Sequence, residues 1–175
     1  MGKLQFVLDL TDSYTLPTST LSHDLNLEYF TLNNAPDNNE TRKKLYDLVR
    51  IGVLDIPDVK GDFETFPQFV DKIYYPCYWN NAESQFLAAI NGEWIGLCSI
   101  TVAVENSMAK CGLTSVKRNY RSLGIASELK RQSISYSLNH GLKKMVTMVH
   151  KDNAPMLAVN QRFGFRLQEQ LEVQK

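Results

Sequence analysis

Asn91–Gly92 stands between two apolar runs, residues 85–90 and 94–104. An Asn-Gly pair in that setting is a strong signal for a two-residue hairpin, because both turn positions need positive φ. That turn commits the middle of the chain to neighbouring antiparallel strands. A second hairpin follows, with residues 105–109 as its turn and 110–116 as the returning strand. Upstream, residues 27–32 read as a strand. Asp37 and Glu40 form a capping-box pattern before Leu45, Leu48 and Val49, which predicts a helix over residues 38–52. Thr65 and Gln68 repeat the pattern before Phe69, Val70 and Ile73, with Pro67 in the first turn. Downstream, residues 121–140 read as a helix stopped by Gly141, and 145–150 as a strand. Residues 154–163 read as a short helix closed by Gly164, and 165–173 as a last strand. The order β, α, α, β, β, β, α, β, α, β predicts an α+β, three-layer domain. Its sheet is mixed and mostly antiparallel, with flanking helices, and is not doubly wound.

A chain of 175 residues suits one domain with a short extra segment. Residues 1–25 are polar, with a Pro/Thr/Ser stretch over 15–22, and read as an N-terminal arm with one strand near 4–10. Residues 26–175 read as the domain proper. With 43% hydrophobic and 22% charged residues, the composition excludes wholesale disorder. No apolar run approaches the roughly 20 residues that span a bilayer. No secretion leader follows Met1, so the cytoplasm is the expected compartment. Cys77, Cys98 and Cys111 are too dispersed for a disulfide framework or, with His23, His140 and His150, for a zinc site.

The net charge of zero conceals a segregation. From Lys110 onward, twelve Lys and Arg face four Asp and Glu; before it, seven face fifteen. The basic half suits an anionic ligand and the acidic half a cationic one. A nucleic-acid partner is disfavoured, because the basic residues lack interleaved exposed aromatics.

The junction over residues 113–126 combines a strand, a basic loop and a helix start. A helix N-terminus has unpaired amides and a partial positive charge, so it can hold a phosphate. The small residues Ser122, Gly124 and Ala126 allow close approach to the backbone, and Lys117, Arg118 and Arg121 add charge. Arg121-x-x-Gly124-x-Ala126 resembles the phosphate loop of the GNAT (Gcn5-related N-acetyltransferase) superfamily. A second signature follows: a strand, then Asn153, then a short helix ending in Phe163–Gly164–Phe165. The segment from Asn153 to Asn160 also resembles that of tandem, two-domain members.

The resemblance implies acetyl-CoA as acyl donor. The backbone of Thr114, Ser115 and Val116 would pair with the pantetheine arm. Amides of Ser122, Leu123, Gly124, Ile125, Ala126 and Ser127 would bind the pyrophosphate, beside Arg121. Asn153 would hydrogen-bond the donor, and equally reads as a helix N-cap. Two departures touch the chemistry. Asn160 stands where many members carry an acidic tyrosine, and an amide supplies no proton at neutral pH, though it can hydrogen-bond sulfur. Met148 stands where some carry a glutamate base. Ser122 replaces a usual glycine.

The implied activity is transfer of an acetyl group directly to a primary amine of a small molecule or peptide. The alternative is a non-catalytic CoA-binding or sensor module of the same fold. No catalytic acid or base is assigned; Asp55, Asp58, Asp62, Glu64 and Glu105 are candidate carboxylates, though each reads first as a solvated surface group. Tyr74, Tyr75 and Tyr78, clustered with Trp79, read first as core or cleft lining, and as the other reading one of them replaces the missing acid. Pairing with a second copy is left open.

Overall fold

A computed structural model describes residues 2–21 and 26–168. Its centre is the β3–β4 hairpin, Gln85–Ile90 and Glu93–Ala103. Ile90 pairs with Glu93, and Asn91 and Gly92 take φ of 49° and 80°, as the Asn-Gly pair requires. β5, Met108–Val116, returns along β4 after a short turn closed by Ser107 at φ 47°. β2, Leu27–Thr31, adds antiparallel to β3. A helical crossover then brings β6, Lys144–His150, parallel to β5.

The sixth place in this sheet decides its architecture. β1, Lys3–Asp9, lies inside the sheet, antiparallel to β6 over its whole length and to β7, Arg166–Leu167, on its other side. The order is β2-β3-β4-β5-β6-β1-β7. The strand expected near residues 4–10 is therefore present and built into the sheet. Of the last strand expected over 165–173, Arg166–Leu167 is present as β7, and residues 169–173 lie outside the described residues.

Side-chain alternation along the strands divides the core between two faces. Leu87, Ala89, Trp94 and Leu97 point to one side. There they meet α1, Asn39–Leu54, through Leu45, Leu48 and Val49. The same layer holds α2, Phe66–Phe69, which runs on into a π-helical stretch, Val70–Tyr78, carrying Tyr74 and Tyr78. Phe86, Ala88, Cys98 and Ile100 point to the other side. They meet α3, Ile125–Asn139, through Ile125, Leu129 and Ile134, and the end of α4, Ala154–Arg162, through Phe163. The result is the expected three-layer α+β fold.

Two boundaries differ from the sequence reading. The cap of α1 is Asn38, whose side chain accepts from the Thr41 amide at 2.9 Å. Asp37 instead pairs with Arg42, and Glu40 with Lys44. α3 begins at Ile125, four residues later than expected, because residues 118–124 form a turn and a loop. The Thr65–Gln68 capping box forms as read.

Candidate active site

β5 and β6 pair only where Met108, Ala109 and Lys110 meet Lys144, Met145 and Val146. Beyond that point the two strands part. Residues 111–116 stay paired with β4, apart from an irregularity near Cys98, and residues 147–150 stay paired with β1. Their facing edges do not pair with each other. The result is a wedge lined by main-chain donors and acceptors, into which an extended ligand can insert as a strand would. Thr114, Ser115 and Val116 stand at its mouth on β5. Gly52 of α1 presses against this strand; a Cβ there would lie 2.7 Å from that of Ser115.

At the same mouth, the loop after β5 turns into α3. Ser122 and Gly124 take φ of 64° and 83°, and Gly124 is the N-terminal cap of the helix. The amides of Ser122, Leu123, Gly124, Ile125, Ala126 and Ser127 find no backbone or side-chain acceptor among the described residues. Together with the helix dipole they make an anion cradle. Positive φ strains a serine and not a glycine. Ser122→Gly is therefore expected to raise stability by about 1 kcal/mol, read from chemical denaturation.

Arg121 donates its Nε–H to the Val116 carbonyl at 2.9 Å. Its guanidinium also pairs with Asp55, which takes a second hydrogen bond from Arg118 at 2.8 Å. Burial pushes the Asp55 carboxyl up, but the hydrogen bonds from Arg118 and Arg121 outweigh it and hold it below the usual carboxylate range. Because the folded value is depressed, this contribution is complete above about pH 4 and is lost as pH falls through the folded value. Asp55→Asn should lower Tm by about 2 °C at pH 7, and the gap should close toward pH 3 in melts across that range.

The outer side of the cradle is covered by the chain's own arm. A Cβ on Gly124 would lie 3.6 Å from Leu21 Cδ2 and 3.9 Å from the Thr20 carbonyl oxygen. Arg162 of α4 donates to Thr20 Oγ1 at 2.7 Å and to the Thr18 carbonyl at 3.1 Å. The Tyr14 hydroxyl donates to the Phe163 carbonyl at 3.0 Å. The arm thus crosses from α4 to the start of α3.

Asn153 caps α4, its side chain accepting from the Met156 amide at 3.3 Å. Its amide NH2 has no hydrogen-bond acceptor among the described residues. Asn160 is 0% exposed, and neither atom of its side-chain amide has a hydrogen-bond partner among the described residues. A buried amide left in that state costs about 1–3 kcal/mol per group, so a ligand atom is its natural complement. Met148 is exposed on β6.

The candidate carboxylates separate in space. Asp55 is engaged by the two arginines. Asp58 accepts from His150 Nε2 at 2.8 Å, while His150 Nδ1 accepts from the Asp152 amide at 3.2 Å. This draws the acidic loop onto the end of β6, at the wedge. Glu105 lies before β5 begins, a full strand length from Val116. Tyr74 and Tyr78 are core residues beneath α1. Tyr74 and Tyr75 both donate to Asp37. Desolvation drives the Tyr74 and Tyr78 hydroxyls well above their ordinary range, which unsuits them as proton donors.

Two buried polar residues went unread in the sequence as parts of a site. One is His150, paired with Asp58 across the chain. The other is Lys130, buried on α3. Its helical stripe (Ala126, Lys130, Ser133, Ser137) was the available signal, since those positions share a face and the last three are buried. No cluster of His, Cys, Asp and Glu suited to a metal occurs among the described residues. No helix there is long and apolar enough to cross a membrane.

The sequence pattern of the Acetyltransferase (GNAT) family matches residues 56–165. The chain belongs to that family. Among solved structures, a GCN5-related N-acetyltransferase from Sphaerobacter thermophilus superposes with a TM-score of 0.72 at 15% identity. The match covers 95% of this chain and 48% of that one. A tandem GNAT protein from the clavulanic acid biosynthesis pathway gives 0.65 at 20% identity, covering 95% and 50%. The ribosomal-protein-S18-alanine N-acetyltransferase from Escherichia coli gives 0.57 at 15% identity, covering 80% and 77%. The chain spans about half the length of the first two. At these identities the likeness is one of fold.

Proposed function

We propose that this chain is an acetyl-CoA-dependent N-acetyltransferase that passes the acetyl group directly to a primary amine of a small molecule or peptide. The observation that carries the reading is the wedge between β5 and β6, opening onto the unpaired amides of residues 122–127. When bound, acetyl-CoA supplies an activated acetyl thioester. Residues 114–116 would hold the pantetheine arm by main-chain hydrogen bonds. Residues 122–127 would hold the pyrophosphate, with Arg118 and Arg121 exchanging Asp55 for phosphate oxygens. Asn153 and Asn160 would hydrogen-bond the donor from the β6–α4 side. Insertion of this kind fixes the carbonyl for attack, and positioning supplies much of the rate.

The acidic loop is the acceptor side of this reading. It belongs to the half of the chain with excess negative charge, and Asp58 is held against β6. A cationic amine suits it, losing its proton to water or to a carboxylate of the loop before attack. The second reading, a CoA-binding module without turnover, is favoured by the arm that lies against Gly124. Thiol release from acetyl-CoA with a panel of cationic amines separates the two. Sustained release at least about tenfold over the amine-free rate is expected. CoA binding without amine-dependent release would establish the second reading instead.

A further inference from the structure

Residues 14–21 of the arm carry no charged side chain. Tyr14, Leu16 and Leu21 are half-buried there, while Thr15, Thr18, Ser19 and Thr20 are exposed. The three apolar side chains pack against the core cluster that holds Ile125 of α3 and Phe163 after α4, with Ala126 and Val159 at its margin. Polar contacts fasten the same stretch to α4. Arg162 donates to Thr20 Oγ1 and to the Thr18 carbonyl, and the Tyr14 hydroxyl donates to the Phe163 carbonyl. At the other end, Leu21 and the Thr20 carbonyl stand over Gly124. The stretch takes no part in the sheet. Its amides bond sparsely: Tyr14 donates to the Thr11 carbonyl, and Leu21 to Ser19 Oγ at 3.4 Å. A segment held by side chains alone can lift while the sheet beneath stays folded.

We propose that residues 14–21 form an autoinhibitory strap across the donor site, which the donor itself displaces. The role rests on the acetyl-CoA reading above. A donor held by residues 122–127 at one end and by Asn153 and Asn160 at the other lies between α3 and α4. The strap already runs between those two helices. It covers the cradle without satisfying it. It brings no anion, and the amides of residues 122–127 keep no acceptor among the described residues. A pyrophosphate supplies both the acceptors and the charge, so it favours the open chain. A neutral ligand gains nothing from the cradle and leaves the strap in place. Closure lowers the apparent donor affinity by the fraction of chains that are open.

The test pairs calorimetry with limited proteolysis. Leu16→Ser together with Leu21→Ser loosens the apolar hold of the strap and leaves residues 122–127, Asn153 and Asn160 unchanged. A thermal melt checks that this variant folds. It should bind CoA about tenfold more tightly than the wild-type chain. The second measurement needs no substitution. Saturating CoA should speed chymotrypsin cleavage of the wild-type chain after Tyr14 by about tenfold, read by mass spectrometry of the fragments. Pantetheine, which lacks the pyrophosphate, should leave that cleavage unchanged. Binding of CoA by the variant alone would also support the strap. Equal CoA affinity in the folded variant and the wild type, or cleavage after Tyr14 slowed by CoA, overturns the strap and leaves the donor site standing. Binding of CoA by neither chain overturns the donor reading and the strap together.

Discussion

A chain lacking residues 1–9 should fail to fold. β1 lies between β6 and β7, so its removal breaks two ladders at once. It strips Leu8 from the core and Phe6 from its margin, each worth about 1.5–3 kcal/mol of burial. It also leaves β6 with an unpaired edge on each side beyond Val146, since β5 has already parted from it. The combined loss is comparable with the whole stability of a domain, about 5–15 kcal/mol. The expected result is loss of the cooperative thermal transition, with aggregation. Val7→Pro is the sharper form of the test. Val7 pairs with Val146 and with Arg166, and proline removes its ladder donor. Should the truncated chain melt cooperatively within a few degrees of the full chain, the strand would be a mere appendage.

Gly124→Glu should abolish acetyl-CoA binding by calorimetry. The variant places a carboxylate among the amides of residues 122–127. At close range that repulsion amounts to about 4 kcal/mol beneath a protein surface, so affinity should fall by about 100-fold or more. It also forces a side chain onto φ 83° and toward Leu21 of the arm. Gly124→Ala separates the effects, since it carries the strain without the charge. The Ala variant should bind within about tenfold of wild type. Equal affinity for wild type and the Glu variant would remove the phosphate from this loop.

Local chemistry made much of the frame legible. Asn91–Gly92 can turn in few ways, and the β3–β4 hairpin forms there with Ile90 opposite Glu93. Gly141 and Gly164, both at positive φ, end α3 and α4 as read. The helix start moved because Gly124 takes the left-handed region, which a periodicity argument does not see. The place of β1 was hidden for a different reason. A short polar-flanked strand at the chain start carries no mark of its partner, and pairing with β6 joins residues far apart in sequence. The same holds for Asp58 with His150. Lys130 was concealed by its own type, since a lysine on a helix ordinarily reads as solvated. It is 1% exposed and lies 5.0 Å from the centre of the Phe165 ring. The basic turn before α3 was readable from one segment.

The arm adds a condition to the proposed donor site. Thr18, Thr20 and Leu21 lie between Arg162 and Gly124, so a bound pyrophosphate shares that surface with them.

Amide hydrogen exchange with and without acetyl-CoA tests the central claim most directly, because it reads the two strand edges themselves. Insertion of the donor into the wedge predicts slowed exchange at residues 111–116 and 147–150, together with residues 122–127. Binding that leaves the first two segments unchanged, or protection confined to other surfaces, would contradict it.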